Sequence, residues 1–579
     1  MGRIRRTAAL GVVILATLAT SGCVTLPDDG PVVPVEDQIR TQPDLGVERR
    51  AQPPQEGDPA QVIVNGFLQA MTAYPVRTDV ARQYLASEIR DSWDPGGKIV
   101  TYESRDSATG SDVVKVGIQG ANWVDRRGSW RGLRGSGDVE LRFPMIVENG
   151  EYRIARARDE FVVTDDWFQD HYRPAAVYFL DQTASILVPE PIFVRSEQVA
   201  GSLIEALLDG PGTDVVRSFV PTGLTLGLSV PVSDDGQASI PLEGDVGALS
   251  PEAAKLMIYQ FAWTLRQDPR VLTFSITLND QPVTFAGGGT EFSIDLGSEY
   301  APTDVQASSA LFILRNGLLE SGDADASTPV PGPLGQRQYG VEQVAVSLKG
   351  DLAASVSGAG SALQLSSVDD DSLAVVEVLS GATRLLKPAW DFAGRLWVVD
   401  RSDDGARVSM IDTTRDVTSA TLVPVQGITG ARVKRFLVSR DGTRLVAVVR
   451  GRRSDSLRVS RIRYDSLGHL RGVTPSRNLP WGGADGQRIR DIAWRSATSV
   501  GVLHQFTRSV AQFVAVPVDG STGLDDRLTI PGRAQALVCS PVPDETLYIR
   551  TADGLGDPTG AEGGGTRPLP QVTSIQYVG

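Results

Sequence analysis

The feature that most restricts how this chain can fold is a repeat in its last two-fifths. Five segments share one shape, an apolar strand, a polar turn and a second apolar strand, at residues 344–354, 386–399, 436–449, 492–503 and 536–549. Their turn anchors, Ser347, Asp391, Ser439, Arg495 and Ser540, fall 44, 48, 56 and 45 residues apart. A period of about 40 to 50 residues is the length of one four-stranded propeller blade. Gly350, Gly394 and Gly442 recur at the turn, and Trp390 and Trp494 occupy equivalent strand positions, where they read as packing between blades. Residues 340–579 are therefore expected to form a β-propeller. The Gly-rich stretch 554–565 reads as a loop that lets 572–578 return to pair with the first blade, closing the ring and removing open edges. A divergent sixth blade has room in the long interval between Ser439 and Arg495. A β-sandwich is the alternative, disfavoured by the regular period.

Upstream the pattern is mixed. Asp58-Pro59 reads as an N-cap and first helical proline, opening a helix with Val62, Ile63, Phe67, Ala70 and Met71 on one stripe. A second helix starts at Asp79, and alternating strand-like runs follow at 99–104, 113–119, 139–147 and 152–157. Residues 59–176 thus describe an α+β domain, of the cone-shaped nuclear-transport-factor-like kind. A second α+β unit is expected over 177–318, with helices at 197–208 and after Ser250-Pro251-Glu252. Residues 319–339, rich in Asp, Ser and Pro, read as a linker. The fold class is multidomain, two α+β domains followed by an all-β propeller.

The first 23 residues address the chain. Arg3, Arg5 and Arg6 precede an apolar run from 8 to 19, and Thr20-Ser21-Gly22 leads to Cys23. The run is too short to span a bilayer, and the small residues before Cys23 form a lipobox, so 1–22 reads as a lipoprotein signal peptide. Thr20 stands where Leu is usual. Cys23 would be diacylated and become the first residue of the mature protein, with the polar, Pro-rich segment 23–58 as tether. Several acyl chains at about 0.8 kcal/mol per buried methylene give an anchor that one chain does not. The expected location is the extracytoplasmic face of the cell membrane.

The formal charge is −14, which argues against nucleic acid as a partner. Neither a nucleophile elbow nor a phosphate-binding Walker loop occurs. His171, His469 and His504 are far apart in sequence and read as surface or satisfied core residues. Asp369-Asp370-Asp371 lacks the spacing of a calcium loop and reads as a solvated turn. Cys539 in Leu537-Val538-Cys539 reads as a buried small hydrophobe. Gly287-Gly288-Gly289 reads as a hairpin turn with no helix behind it to receive phosphate. No catalytic, metal or cofactor site is expected. The basic run 452–463 reads as a solvated edge, with contact to an acidic cell-wall polymer as a second reading.

The order of parts, lipobox, α+β domain, a module with Leu207-Leu208-Asp209-Gly210-Pro211 and the Ser250 helix, then a propeller, resembles the LpqB family of actinobacterial lipoproteins. The middle module resembles the GerM-type domain of spore germination proteins. The resemblance implies a membrane lipoprotein that associates with the ectodomain of an MtrB-like sensor histidine kinase. It also implies an effect on the MtrA response regulator, cell-wall homeostasis and division. Only Cys23 carries over as a functional residue. The alternative is an envelope protein that binds or processes glycans in the propeller channel, which needs convergent polar or acidic groups around the axis.

Overall fold

The computed structural model describes residues 51–579 apart from 75, 246, 248, 285–287, 302–306, 324–325, 371, 523–526, 541–546, 553, 559–565 and 569–570. The signal peptide and Cys23 lie outside the described residues. Within Arg50–Gly579 the chain forms one compact unit, in which three modules are distinguishable.

The first module opens with the helix Ala60–Ala70, whose buried face carries Ile63, Val64, Phe67 and Leu68. Its start differs from the expected one. Pro59 rather than Asp58 occupies the cap position, and the Asp58 carboxylate turns back to accept from the Gln55 amide at 2.9 Å. Phe67 packs against Trp93 and Phe143, with ring centroids 5.3 and 5.9 Å away. Two four-stranded sheets complete the module. Lys98–Tyr102 is central in one, and Val113–Gln119 with Val139–Glu148 forms the middle of the other.

The helix Asp165–His171, capped by the Thr164 hydroxyl, runs directly into the strand Tyr172–Asp181. That strand belongs to the second module, pairing antiparallel along its whole length with Leu187–Arg195. The boundary expected at 176 therefore falls inside a strand, because one continuous extended segment leaves the first module and founds the second. The helix Pro251–Leu265 is capped as the sequence predicts, Ser250 Oγ accepting from the Ala253 amide at 3.2 Å. It joins the parallel strands Gln237–Glu243 and Thr273–Leu278, and its buried positions include Met257, Phe261 and Leu265.

The third module is a propeller of six blades. The five repeats correspond to blades two to six, whose innermost strands are Val341–Val346, Ala389–Trp390, Val433–Val438, Ile489–Ser496 and Ala534–Cys539. The sixth set is not in the interval 439–495. That interval is long because the strand Asp455–Tyr464 pairs with both Leu470–Val473 and Arg477–Leu479. The remaining blade uses the stretch expected as a linker and also residues 311–318, expected to belong to the second α+β unit. Leu311–Arg315, Leu318–Gly322 and Ser327–Pro329 form its outer three strands, and Val572–Gln576 returns as the fourth, pairing with Leu311–Arg315. Ring closure by the chain end is thus as expected, but onto a blade built from 311–329. The Asp, Ser and Pro content that suggested a linker sits in its turns and edge, where unpaired strand faces water. Part of the Gly-rich loop is also strand, since Leu555–Gly556 pairs with Leu547–Thr551 and with Thr566–Arg567.

The repeated residues do repeated work. Gly350, Gly394 and Gly442 all take positive φ, 82°, 72° and 71°, at the turn after the innermost strand. Trp390 Nε1 donates to Ala345 O at 3.1 Å, and Trp494 Nε1 donates to Val438 O at 2.9 Å. Each indole therefore ties its blade to the innermost strand of the blade before.

Candidate functional site

One strand of the second module holds all three modules together. In Leu187–Arg195, the Phe193 amide donates to Gly128 O of the first module at 2.8 Å. Gly128 has φ 76°, and a Cβ there would lie 2.3 Å from Phe193 O, so the turn can approach only as glycine. Trp130, Phe168 and Phe193 form an aromatic cluster at this contact.

Three residues earlier, Glu190 faces the propeller. Its carboxylate accepts from both terminal nitrogens of Arg461, one at 3.2 Å, and from Arg444 Nη2 at 3.4 Å. Arg444 is 1% exposed. It also donates to Pro189 O and to Asp441 Oδ2, the latter at 3.2 Å. Burial and the neighbouring Arg461 depress the Arg444 pKa, against Glu190 and Asp441. Arg463 pairs with Asp214 of the second module at 3.3 Å. These contacts correct the reading of the basic run 452–463. Its strand alternates, and Arg461, half-buried, meets Glu190 of another module and so departs from a solvated edge, while Arg463 stays exposed in its pair with Asp214. Arg453, at the exposed turn, fits that reading. Beside the ion pairs lies a cavity of about 260 Å³ lined from all three modules, including Arg127, Arg131, Glu190 and Arg477.

The second cavity is the propeller channel, about 360 Å³. Lys387, Arg401, Arg435, Arg440 and Arg550 line it, with Asp491 the one carboxylate side chain among its described lining residues. Asp491 is committed: Oδ1 accepts from Arg435 Nε at 2.9 Å and Oδ2 from the Leu537 amide at 3.0 Å. Arg550 donates to Thr573 O. Among the described residues, the Nε atoms of Arg401 and Arg440 are buried without a hydrogen-bond partner, and Lys387 is half-buried beside them. Burial first, then Arg440 and Arg435, bring Lys387 down to about 8 against the pull of Asp491, and burial brings Arg440 down to about 10. The acidic groups that glycan processing in the channel would need are thus represented by a single, engaged carboxylate among the described residues.

The remaining residues singled out in the sequence do not converge. His171 stacks on Trp167 at 4.3 Å and its Nδ1 contacts Trp167 O. His469 pairs with Asp465 at 3.3 Å. His504 is buried against the edge of Trp481, with its pKa depressed by that burial. Asp370 accepts from Ser367 and Ser372, a turn built by its own neighbours, while Asp371 lies outside the described residues, as does Gly287. Cys539 is buried, which pushes its thiol up to about 12. No group of three potential metal ligands occurs among the described residues, and no described helix is long and apolar enough to cross a membrane. The sequence reading missed Arg444 and Lys387, and took Arg461 only as part of the basic run. The signal of Arg444 and Lys387 was a cation interrupting an otherwise apolar blade segment, as in Thr443-Arg444-Leu445-Val446 and Leu386-Lys387-Pro388.

The architecture defines a class: two α+β modules and a six-bladed propeller, the second module joined to the propeller through Glu190 and the arginines Arg444 and Arg461. Three family models match in that order, the lipoprotein LpqB N-terminal domain at 53–169, a sporulation and spore germination domain at 176–284, and the lipoprotein LpqB beta-propeller domain at 317–559. The chain belongs to the LpqB lipoprotein family. It is 27% identical to lipoprotein LpqB of Thermobifida fusca over 576 residues, 89% of this chain and 90% of that one. With lipoprotein LpqB of Cutibacterium acnes it shares 26% over 575 residues, 94% of each chain. Among solved structures, the first GerMN domain of the sporulation protein GerM from Bacillus subtilis matches 21% of this chain and 96% of its own, with 22% identity and a TM-score of 0.19.

Proposed function

We propose that this chain is a non-enzymatic accessory lipoprotein, held on the extracytoplasmic face of the cell membrane by acyl groups on Cys23. Its folded body binds the ectodomain of a sensor histidine kinase and tunes two-component signalling in cell-wall homeostasis and division. Family membership supports the anchor. The kinase comes from the resemblance in domain order, and one structural observation favours binding over turnover. Guanidinium groups predominate in both cavities, while Glu190 and Asp491 are engaged by arginines and Asp519 of the junction cavity accepts from the Ser521 amide and hydroxyl. Confinement to a membrane plane raises the effective concentration of two anchored partners, so a modest contact suffices.

The test is calorimetric titration of the mature chain with the folded kinase ectodomain. Saturable heat supports the reading, and no heat at high concentration overturns it. For the anchor, Cys23→Ser should move the protein from the membrane to the soluble extracytoplasmic fraction.

A further inference from the structure

The propeller channel concentrates positive charge without matching it. Five cations line it, and one acid, Asp491, is spent on Arg435 and a backbone amide. Gly579 comes up against the Arg440 side chain and donates its amide to Val346 O. A protein that only needed to fill its axis would do so with apolar or self-paired groups, because burying an unpaired cation costs free energy that burying a hydrocarbon does not. Here Lys387 and Arg401 from one blade and Arg440 from the next line one cavity of about 360 Å³. That volume lies in the range of small-molecule sites, which combine apolar walls with a few convergent polar groups. The walls fit this description: Leu437, Trp494 and Val538 supply apolar surface, and Gln343, Gln535 and Gln576 supply amides. Gln576 Oε1 is itself buried without a partner among the described residues.

We propose that the channel binds a small ligand carrying an oxyanion, a carboxylate or a phosphoryl group, held between Lys387 and Arg440. An anion there answers the charge that the fold leaves uncompensated. Planar guanidinium groups match the oxygens of either anion, and the lysine supplies a point charge beside them. The depressed pKa of Lys387 agrees with this arrangement, since a bound anion would raise it back toward the ordinary lysine value. The inference goes beyond the kinase reading and does not rest on it.

The experiment is titration of the full mature lipoprotein in detergent, in an amine buffer free of phosphate and carboxylates. Inorganic pyrophosphate, glucose 1-phosphate and citrate are the three probes. Saturable 1:1 binding of at least one is expected, with phosphoryl and carboxylate preference read from the order of the three. Lys387→Met and Arg440→Gln should each weaken it at least about tenfold. Arg463→Gln, at the module junction, should leave it unchanged. Because each channel substitution removes a half-buried cation that no described carboxylate pairs, the thermal midpoint should hold or rise, so lost binding is not lost folding. Absence of saturable binding of all three up to about 1 mM overturns the proposal. So does binding that survives both channel substitutions, which would place the anion elsewhere.

Discussion

Glu190→Gln tests whether the modules form one body through the ion pairs that join them. The substitution keeps shape and removes charge. Arg444 retains Asp441 and Pro189 O, but Arg461 loses its only acidic partner among the described residues. Hydrogen bonds to charged groups contribute about 1.5–3 kcal/mol, and breaking a fully buried pair costs about 3–5. The Glu190 and Arg461 side chains are 19% and 22% exposed, so solvent recovers part of the loss, and about 2–3 kcal/mol is expected. A chain of several modules does not unfold in two states, so the readout is the first calorimetric transition. At about 2–4 °C per kcal/mol for a unit of this size, it should fall by about 5–10 °C. Adding Arg461→Met should cost less than its own single effect predicts, because the pair is already broken. A first transition that stays within about 1 °C of wild type would refute the reasoning.

Three further outcomes follow from the geometry. Gly128→Ala places a Cβ against the Phe193 carbonyl and an alanine at φ 76°; it should cost about 2–4 kcal/mol and expose the boundary between the first two modules to limited proteolysis. Trp390→Phe removes the indole donor to Ala345 O from a site that is 0% exposed; a loss of about 2–4 kcal/mol is expected in denaturant titration, and Trp494→Phe should behave alike. Lys387 has a folded pKa of about 8 against 10.5 in the unfolded chain. The unfolded state therefore binds more protons between those values, and stability rises with pH across that window and is flat below it. The groups facing the amine are Asp491, Arg435 and Arg440. The gain, about 1–3 kcal/mol, should vanish in Lys387→Met when the two pH profiles of thermal midpoint are subtracted.

The propeller was legible because its repeat is a backbone requirement written at fixed positions. Gly442 sits in the left-handed region where a Cβ would lie 3.0 Å from Asp391 Oδ2, and Trp494 reaches the carbonyl of the preceding blade, so the turn glycine and the strand Trp recur where a blade makes these contacts. The closing blade was not legible, since its outer strands and its innermost strand are separated by some 250 residues of chain. Neither half alone shows the two-strand signature. The strand Tyr172–Asp181 hid a boundary for a related reason, because a continuous extended run carries no turn residues to mark where one module stops. The junction was misread most instructively. Arg461 looks like solvated charge in a sequence, where only the strand is visible; its acid, Glu190, lies 271 residues away. Charge complementarity across modules has no local signature.

One turn connects the two cavities. Ser439–Arg444 carries Arg440 on the channel side and Arg444 on the junction side. Its interior is hydrogen-bonded throughout: Asp441 Oδ1 accepts from Ser439 Oγ at 2.5 Å and from the amide and hydroxyl of Thr443 at 2.8 and 2.7 Å. The Arg444 amide closes the turn onto Ser439 Oγ at 2.9 Å. With Gly442 pressed 3.0 Å from Asp391 Oδ2 as judged at its Cβ position, the turn moves as a unit. An anion that orders Arg440 therefore also favours the placement of Arg444 against Glu190, and by linkage the reverse holds with the same factor. Glu190→Gln, which touches nothing in the channel, should weaken pyrophosphate binding at least about fivefold, the lower end of typical coupling. Equal affinity in the two proteins, measured by the same calorimetric titration, would separate channel from junction and leave the turn as a spacer between independent sites.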